Sequence, residues 1–154
     1  MGHYGPLSFL LTKLQSSSMK KLTLLFSLLI LSSKGFAATD SVECLAKNMY
    51  HEARGESIRG LIAVAHVTLN RTMSEEYPAR VCDVVYQKNQ FSWTATKSRI
   101  KDYTRYEEIR EIAYNVLHGQ TDDPTRGALN FHKVGTKTSW KLKPKARIGN
   151  HIFY

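Results

Sequence analysis

The sequence predicts an α+β domain, helices first and a small antiparallel sheet last. Three patterns carry that prediction. Apolar residues recur at helical spacing over 42–53, 57–69 and 104–117. The segments 128–132 and 148–154 read instead as strands, where successive side chains turn to opposite faces. The helical runs and the strand runs fall in separate blocks, which is the α+β order.

The start of the chain reads as an address. Met19-Lys20-Lys21 precedes an apolar run over 22–31, and Gly35-Phe36-Ala37 follows. A positive start, a short apolar core and a small-x-Ala end make a secretory signal. A run of ten is shorter than the roughly 20 residues of a spanning helix. An N-terminal anchor is the other reading of the same run. Residues 1–18 read as an upstream extension. Residues 1–37 are therefore expected to be extension plus signal, cleaved near Ala37 or Ala38. Residues 38–154 are expected to form one domain, large enough for a real core.

Within that domain, 42–53 reads as a helix with Leu45, Ala46, Met49, Tyr50 and Ala53 on one face. Gly55 breaks it, and Ser57 caps a second helix. Ile58, Leu61, Ile62, Val64, Ala65, Val67 and Leu69 make that helix apolar around much of its circumference, as in a buried central helix. Tyr77-Pro78 marks a turn, and Val81, Val84 and Val85 predict a short helix. The polar, aromatic stretch 88–102 reads as a loop. Thr104-Arg105-Tyr106-Glu107 reads as a capping box. It opens a helix with Tyr106, Ile109, Ile112, Ala113, Val116 and Leu117 inward, ended by Gly119. The strand runs 128–132 and 148–154 are joined by a long basic loop through Trp140.

The formal charge is +9, and Lys13, Lys20, Lys21 and Lys34 lie in the first 37 residues, leaving +5 for the domain. Beyond Asp123 there is no acid, against seven cations: Arg126, Lys133, Lys137, Lys141, Lys143, Lys145 and Arg147. Such a surface attracts a polyanion, be it cell-wall polymer, nucleic acid or anionic lipid. A solvated basic loop fits the same charges. Export argues against intracellular nucleic acid as partner. The two cysteines, Cys44 and Cys82, form an even count behind an export signal. They predict one disulfide in an oxidising compartment, with two buried thiols as the alternative.

Glu52 ends the first helical run, just ahead of a glycine, and Glu56 follows four residues later. A carboxyl held among apolar side chains has its pKa raised, which suits a general acid at a glycosidic bond. A surface glutamate paired with Arg54 or Lys47 is the bland reading of Glu52. Glu56 is either part of such a site or an N-terminal charge favourable to the second helix. Gln90-Phe91-Ser92-Trp93 offers an amide, a hydroxyl and aromatic faces to a sugar. Phe91 and Trp93 as core is the other reading. Alternation puts Asn130 and His132 on one strand face, against Leu129 and Phe131 on the other. With Asn150, His151 and Tyr154, they read as a polar surface that faces either the site or solvent.

The motifs Tyr50-x-Glu52-Ala53-Arg54-Gly55-Glu56, Val64-Ala65-His66, Asn70-Arg71, Gln90-Phe91-Ser92-Trp93, Gly127-Ala128-Leu129-Asn130-Phe131-His132 and Ile148-Gly149-Asn150-His151-Ile152-Phe153-Tyr154 occur in one order. In that order the chain resembles SleB-type cell-wall hydrolases, from about Glu43 to its last residue. The resemblance implies a small lysozyme-like helical core with a short sheet. It also implies a lytic transglycosylase that cleaves the MurNAc–GlcNAc bond and leaves 1,6-anhydro-muramoyl ends. Glu52 matches the family's acid. One carboxyl that serves as acid and then base fits a sequence whose other acids lie in turns, loops and polar helix faces.

The expected enzyme is secreted or periplasmic and monomeric. It acts on peptidoglycan glycan strands with Glu52 as catalyst, and Glu56, Gln90, Ser92, Trp93, Asn130, His132, His151 and Tyr154 on the substrate. No cofactor, metal or nucleic-acid partner is expected, and membrane contact is confined to the signal. Two rivals stand beside it. One is a non-catalytic peptidoglycan-binding domain. The other is a metal-dependent amidase using Glu52, His132 and His151, although His51-Glu52 lacks the second histidine of H-E-x-x-H.

Overall fold

The structure is a computed structural model that describes residues 33–96 and 98–154, with side chains from Asp40 onward. The upstream extension and the apolar run of the signal lie outside the described residues. Thr39–Tyr154 forms one compact unit. No helix among the described residues is long and apolar enough to cross a membrane.

Helix α1 spans Ser33–Ala53 and starts earlier than the predicted 42–53. Nothing in 33–41 stops a helix; the apolar period that marks one simply begins at Val42. Leu45, Ala46, Met49, Tyr50 and Ala53 are all buried, as their spacing requires. Helix α2 spans Ile58–Thr72, and its N-cap Ser57 accepts a hydrogen bond from the Gly60 N–H at 3.3 Å. Leu61, Ala63, Val64, Ala65 and Val67 bury against the neighbouring helices. Ile58, expected inside, is 62% exposed, because the first residue of the helix lies ahead of the packed layer.

Helix α3, Val81–Val85, packs against α2 and buries Val84 and Val85. Its Cys82 is bonded to Cys44, with Cα atoms 5.3 Å apart, so the expected disulfide ties α1 to α3. The stretch read as a loop contains a further short helix, α4, Ser92–Thr96. Five residues show no readable period. Trp93 plugs into the core there, and the Thr94 hydroxyl donates back to the Phe91 carbonyl at 2.8 Å.

Helix α5, Tyr103–Leu117, packs along α2. Its N-cap is Asp102, whose carboxylate accepts from the Arg105 N–H at 2.9 Å. The predicted cap at Thr104 loses because Tyr50 sets the start. The Tyr50 hydroxyl accepts from the N–H groups of Lys101 and Asp102, at 3.2 and 3.0 Å. Tyr106, Ile109, Ala113 and Val116 are buried, and Gly119, at φ +69°, follows the helix end.

The two predicted strand runs become three strands: β1 Phe131–Lys133, β2 Ala146–Ile148 and β3 His151–Phe153. The sheet is antiparallel, in the order β1-β3-β2. Gly149, at φ +54°, and Asn150 break 148–154 into a tight hairpin in which Ile148 pairs with His151. Phe131 pairs with Phe153 and Lys133 with His151. Those four therefore share one face, with Phe153 and His151 buried. His132 pairs with Ile152 on the opposite face.

Buried polar residues lock these layers together. The Asn48 side chain donates to the Thr68 hydroxyl at 3.2 Å and accepts from the Trp93 indole N–H at 3.3 Å, joining α1, α2 and α4. Asn70 and Arg71, at the end of α2, grip the approach to β1. Asn70 donates to Asp123 at 3.0 Å and to the Ala128 carbonyl at 3.1 Å; the Arg71 Nε donates to the Leu129 carbonyl at 2.7 Å.

Candidate active site

Glu52 stands in the last turn of α1, half-buried, and its carboxylate has no hydrogen-bond or ion-pair partner among the described residues. Burial pushes its pKa above the ordinary carboxylate value. The Lys133 ammonium, from the sheet, pulls the other way and does not prevail. A carboxyl that is shielded, unpaired and biased toward its protonated form is suited to donate a proton.

Glu56 plays a different part. Its N–H donates to the Ala53 carbonyl at 2.9 Å, folding the chain sharply after α1. Its carboxylate accepts from the Asn150 backbone N–H at 3.2 Å and from the Asn150 side-chain amide at 3.1 Å. Gly149 has the left-handed φ that favours glycine, and a Cβ there would have to displace the same carboxylate from Asn150. Glu56 thus clamps the β2–β3 turn to the Glu52 segment. His151 lies beside it, Nδ1 3.9 Å from the carboxylate, too far for a hydrogen bond. Burial lowers the His151 pKa; Glu56 opposes this, and Lys133 and His132 reinforce it. The ring is therefore neutral at pH 7 and the contact is not an ion pair. Its buried Nδ1 has no partner.

Arg105 holds the same segment from α5. Its Nε donates to the Arg54 carbonyl at 3.1 Å and its Nη2 to the Glu56 carbonyl at 3.1 Å. Sequence reasoning missed this role, since Arg105 sits in the predicted capping box with nothing to mark its reach. Arg54 itself lies over the Tyr50 ring, 5.2 Å from its centroid.

Trp93 takes the core reading of its motif and also borders a cleft. It is buried with Phe91 and Val85, and its ring stacks on His51 at 4.5 Å. It also lines a cleft of about 520 Å³ between α1, α4 and the start of α5. His51, which precedes Glu52, forms part of that cleft. Burial, with help from Arg54, lowers the His51 pKa. Ser92 is exposed at the start of α4, and Gln90 is half-buried one residue before Phe91.

The cleft also contains Glu43, which the sequence did not single out. Burial pushes its pKa up, but hydrogen bonds from the Tyr106 hydroxyl at 2.8 Å and the Arg110 Nε at 2.6 Å outweigh this and hold it below the ordinary value. Glu43 is a paired, ionised carboxylate, not a free acid.

The C-terminal candidates divide. The His132 Nε2 lies 2.9 Å from the Tyr154 hydroxyl, their rings stack, and Trp140 meets both edge-on. Asn130 joins them through the backbone, exchanging hydrogen bonds with Tyr154. His151 is on the other face of the sheet, with Phe131 and Phe153. His132 and His151 thus do not converge on Glu52 as ligands. Among the described residues no three His, Cys, Asp or Glu side chains group to hold a metal ion.

Comparison with known proteins agrees with this architecture. Residues 55–154 match the Cell Wall Hydrolase family, and the chain belongs to it. The spore cortex-lytic enzyme of Halalkalibacterium halodurans is 36% identical over 122 residues, 77% of this chain and 36% of that protein. The spore cortex-lytic enzyme of Bacillus subtilis is 34% identical over 122 residues, 77% of this chain and 38% of that protein. The chain thus spans less than half the length of these relatives. The catalytic domain of the germination-specific lytic transglycosylase SleB from Bacillus anthracis superposes with a TM-score of 0.63 at 30% identity, covering 73% of this chain and 92% of that one. The catalytic domain of the Bacillus cereus SleB protein gives 0.60 at 30% identity, covering 73% and 88%. The α+β fold is therefore that of the SleB catalytic domain. The family match begins at Gly55, so it takes in Glu56 and stops short of Glu52. Glu52 is distinguished by its surroundings, half-buried and without a hydrogen-bond or ion-pair partner among the described residues.

Proposed function

We propose that this chain cleaves the MurNAc–GlcNAc bond of peptidoglycan outside the cytoplasm, as a lytic transglycosylase. Protonated Glu52 gives its proton to the leaving glycosidic oxygen as the bond to muramic C1 breaks. The resulting carboxylate then takes the proton of the muramic 6-hydroxyl as O6 bonds to C1. No water is consumed, and Glu52 ends as it began. The observation that carries this reading is the Glu52 carboxyl itself: half-buried, unpaired among the described residues, and pushed toward the protonated form by burial.

In this reading Glu56 acts as a brace, holding the β2–β3 turn against the Glu52 segment through Asn150. Trp93, with Gln90 and Ser92, supplies an aromatic and polar wall on one side. The His132–Trp140–Tyr154 group offers a second aromatic surface for sugar rings on the outer face of the sheet. The signal pattern and the Cys44–Cys82 bond both support action in an oxidising compartment.

Purified sacculi digested with the protein test the proposal by mass spectrometry. Anhydro-muropeptides are expected, each lighter by one water than its hydrolysed counterpart. Glu52→Gln is expected to release none while still sedimenting with sacculi. Reducing ends in place of anhydro ends would replace the transglycosylase reading with hydrolysis. No release by the wild type would leave a binding domain.

A further inference from the structure

The cleft beside α1 has a chemistry that the cleavage step does not use. Lys47 and His51 lie one turn apart on the α1 face that forms part of it. Trp93 and Tyr86 form an aromatic wall, their rings edge to face at 5.8 Å, and Tyr103, 70% exposed, adds another. Arg99 lines the same space. Neither Lys47 nor Arg99 has a hydrogen bond or an ion pair within 4.0 Å among the described residues, while the acid in the cleft, Glu43, is already taken by Tyr106 and Arg110. The result is a concave site of about 520 Å³ with apolar walls and two cations, Arg99 without a partner among the described residues and Lys47 attracted to Glu43 without touching it. Such a site favours a ligand with small alkyl groups and free carboxylates.

Resting on the proposed cleavage of peptidoglycan, we propose that this cleft seats the acidic peptide stem of the glycan strand. The stem branches from the muramic residue whose bond is broken. His51 lines the cleft and Glu52 does not; the two follow each other in the last turn of α1, with side chains about 100° apart, and a stem several residues long can span that turn from a strand lying across Glu52. The stem brings alanine methyls for Tyr86 and Tyr103 and carboxylates for Lys47 and Arg99. The chain therefore selects strands that keep their stems over strands stripped of them. The stripped strand retains a lactyl carboxylate close to the ring but lacks the carboxylates farther out.

Binding by the full chain carrying Glu52→Gln tests this without turnover. The probes are a stem-bearing tetrasaccharide, the same tetrasaccharide stripped by an amidase, and the stem-bearing form with its stem carboxylates amidated. The stem-bearing form is expected to bind about tenfold tighter than the other two, the size of one charge-assisted contact. Added salt narrows the gap. Lys47→Met with Arg99→Met removes the preference and leaves binding of the stripped strand unchanged. Arg99→Met alone, at an exposed position, gives the same direction if the double variant fails to fold. Equal affinity for all three probes overturns the proposal. So does a preference that survives both substitutions. Anhydro-product release by the wild type is scored separately. A stem preference without release defeats only the cleavage reading, and release without a stem preference defeats only this one.

Discussion

At the scale of single residues, ionising Glu52 inside the fold is unfavourable because its surroundings solvate a charge poorly. Two outcomes follow from the raised pKa. Activity that needs the protonated acid declines as pH rises through that value. Lys133→Met removes the cation that favours the ionised form, so the alkaline limb of the pH–rate profile moves to higher pH. Stability follows the same proton. A carboxyl whose folded pKa lies above its unfolded value stabilises the fold when protonated, and that contribution fades as pH rises through the folded value. Glu52→Gln cannot ionise. It is expected to melt higher than wild type at neutral pH and to match it below 4.5, the ordinary value. Calorimetry at two pH values decides. At Gly149 the left-handed backbone disfavours a side chain, and a Cβ there would push the Glu56 carboxylate off Asn150. Gly149→Ala is expected to lose at least about 1–2 kcal/mol, read from the urea midpoint.

At the scale of elements, caps and turns separate what spacing predicts from what packing selects. Ser57 was legible because a serine before an apolar run has one local job, and the structure gives it that job. Thr104 was equally plausible as a cap, yet Asp102 holds the position because Tyr50, 52 residues earlier, pins the Asp102 N–H. Asp102→Ala is expected to cost about 1 kcal/mol, and Thr104→Ala less than about 0.5 kcal/mol. Chemical denaturation of the two variants distinguishes the caps. Helix α4 and the split of 148–154 into a hairpin were not legible for a related reason. Five residues and three residues are too short to show a period.

At the scale of the whole molecule, the Cys44–Cys82 bond joins the helix bearing Glu52 to α3 across a separation of 38 residues. On a chain-entropy account a loop of that length is worth about 4 kcal/mol. Replacing both cysteines with serine is expected to lower stability by about 2–4 kcal/mol, with the largest loss of activity near the melting temperature. A reducing agent should reproduce the effect on the wild type but not on the variant. The pair also shows the reach of composition: an even cysteine count, read with the signal pattern expected ahead of it, predicted the bond.

The order of helices before sheet, the buried faces of α1, α2 and α5, the disulfide and the position of Glu52 at a helix end were all legible in the chain. These follow from relations within a turn or two of chain, or from composition, and both are visible in one dimension. Packing in three dimensions gave Glu56 to the β2–β3 turn, committed Glu43 to Tyr106 and Arg110, and set His151 and His132 on opposite faces of the sheet. It alone decided, too, that Arg105 braces the carbonyls after Glu52. Those roles depend on groups far apart in the chain, 94 residues in the case of Glu56 and Asn150. Local spacing carries no record of which distant atoms the folded core brings within hydrogen-bond distance.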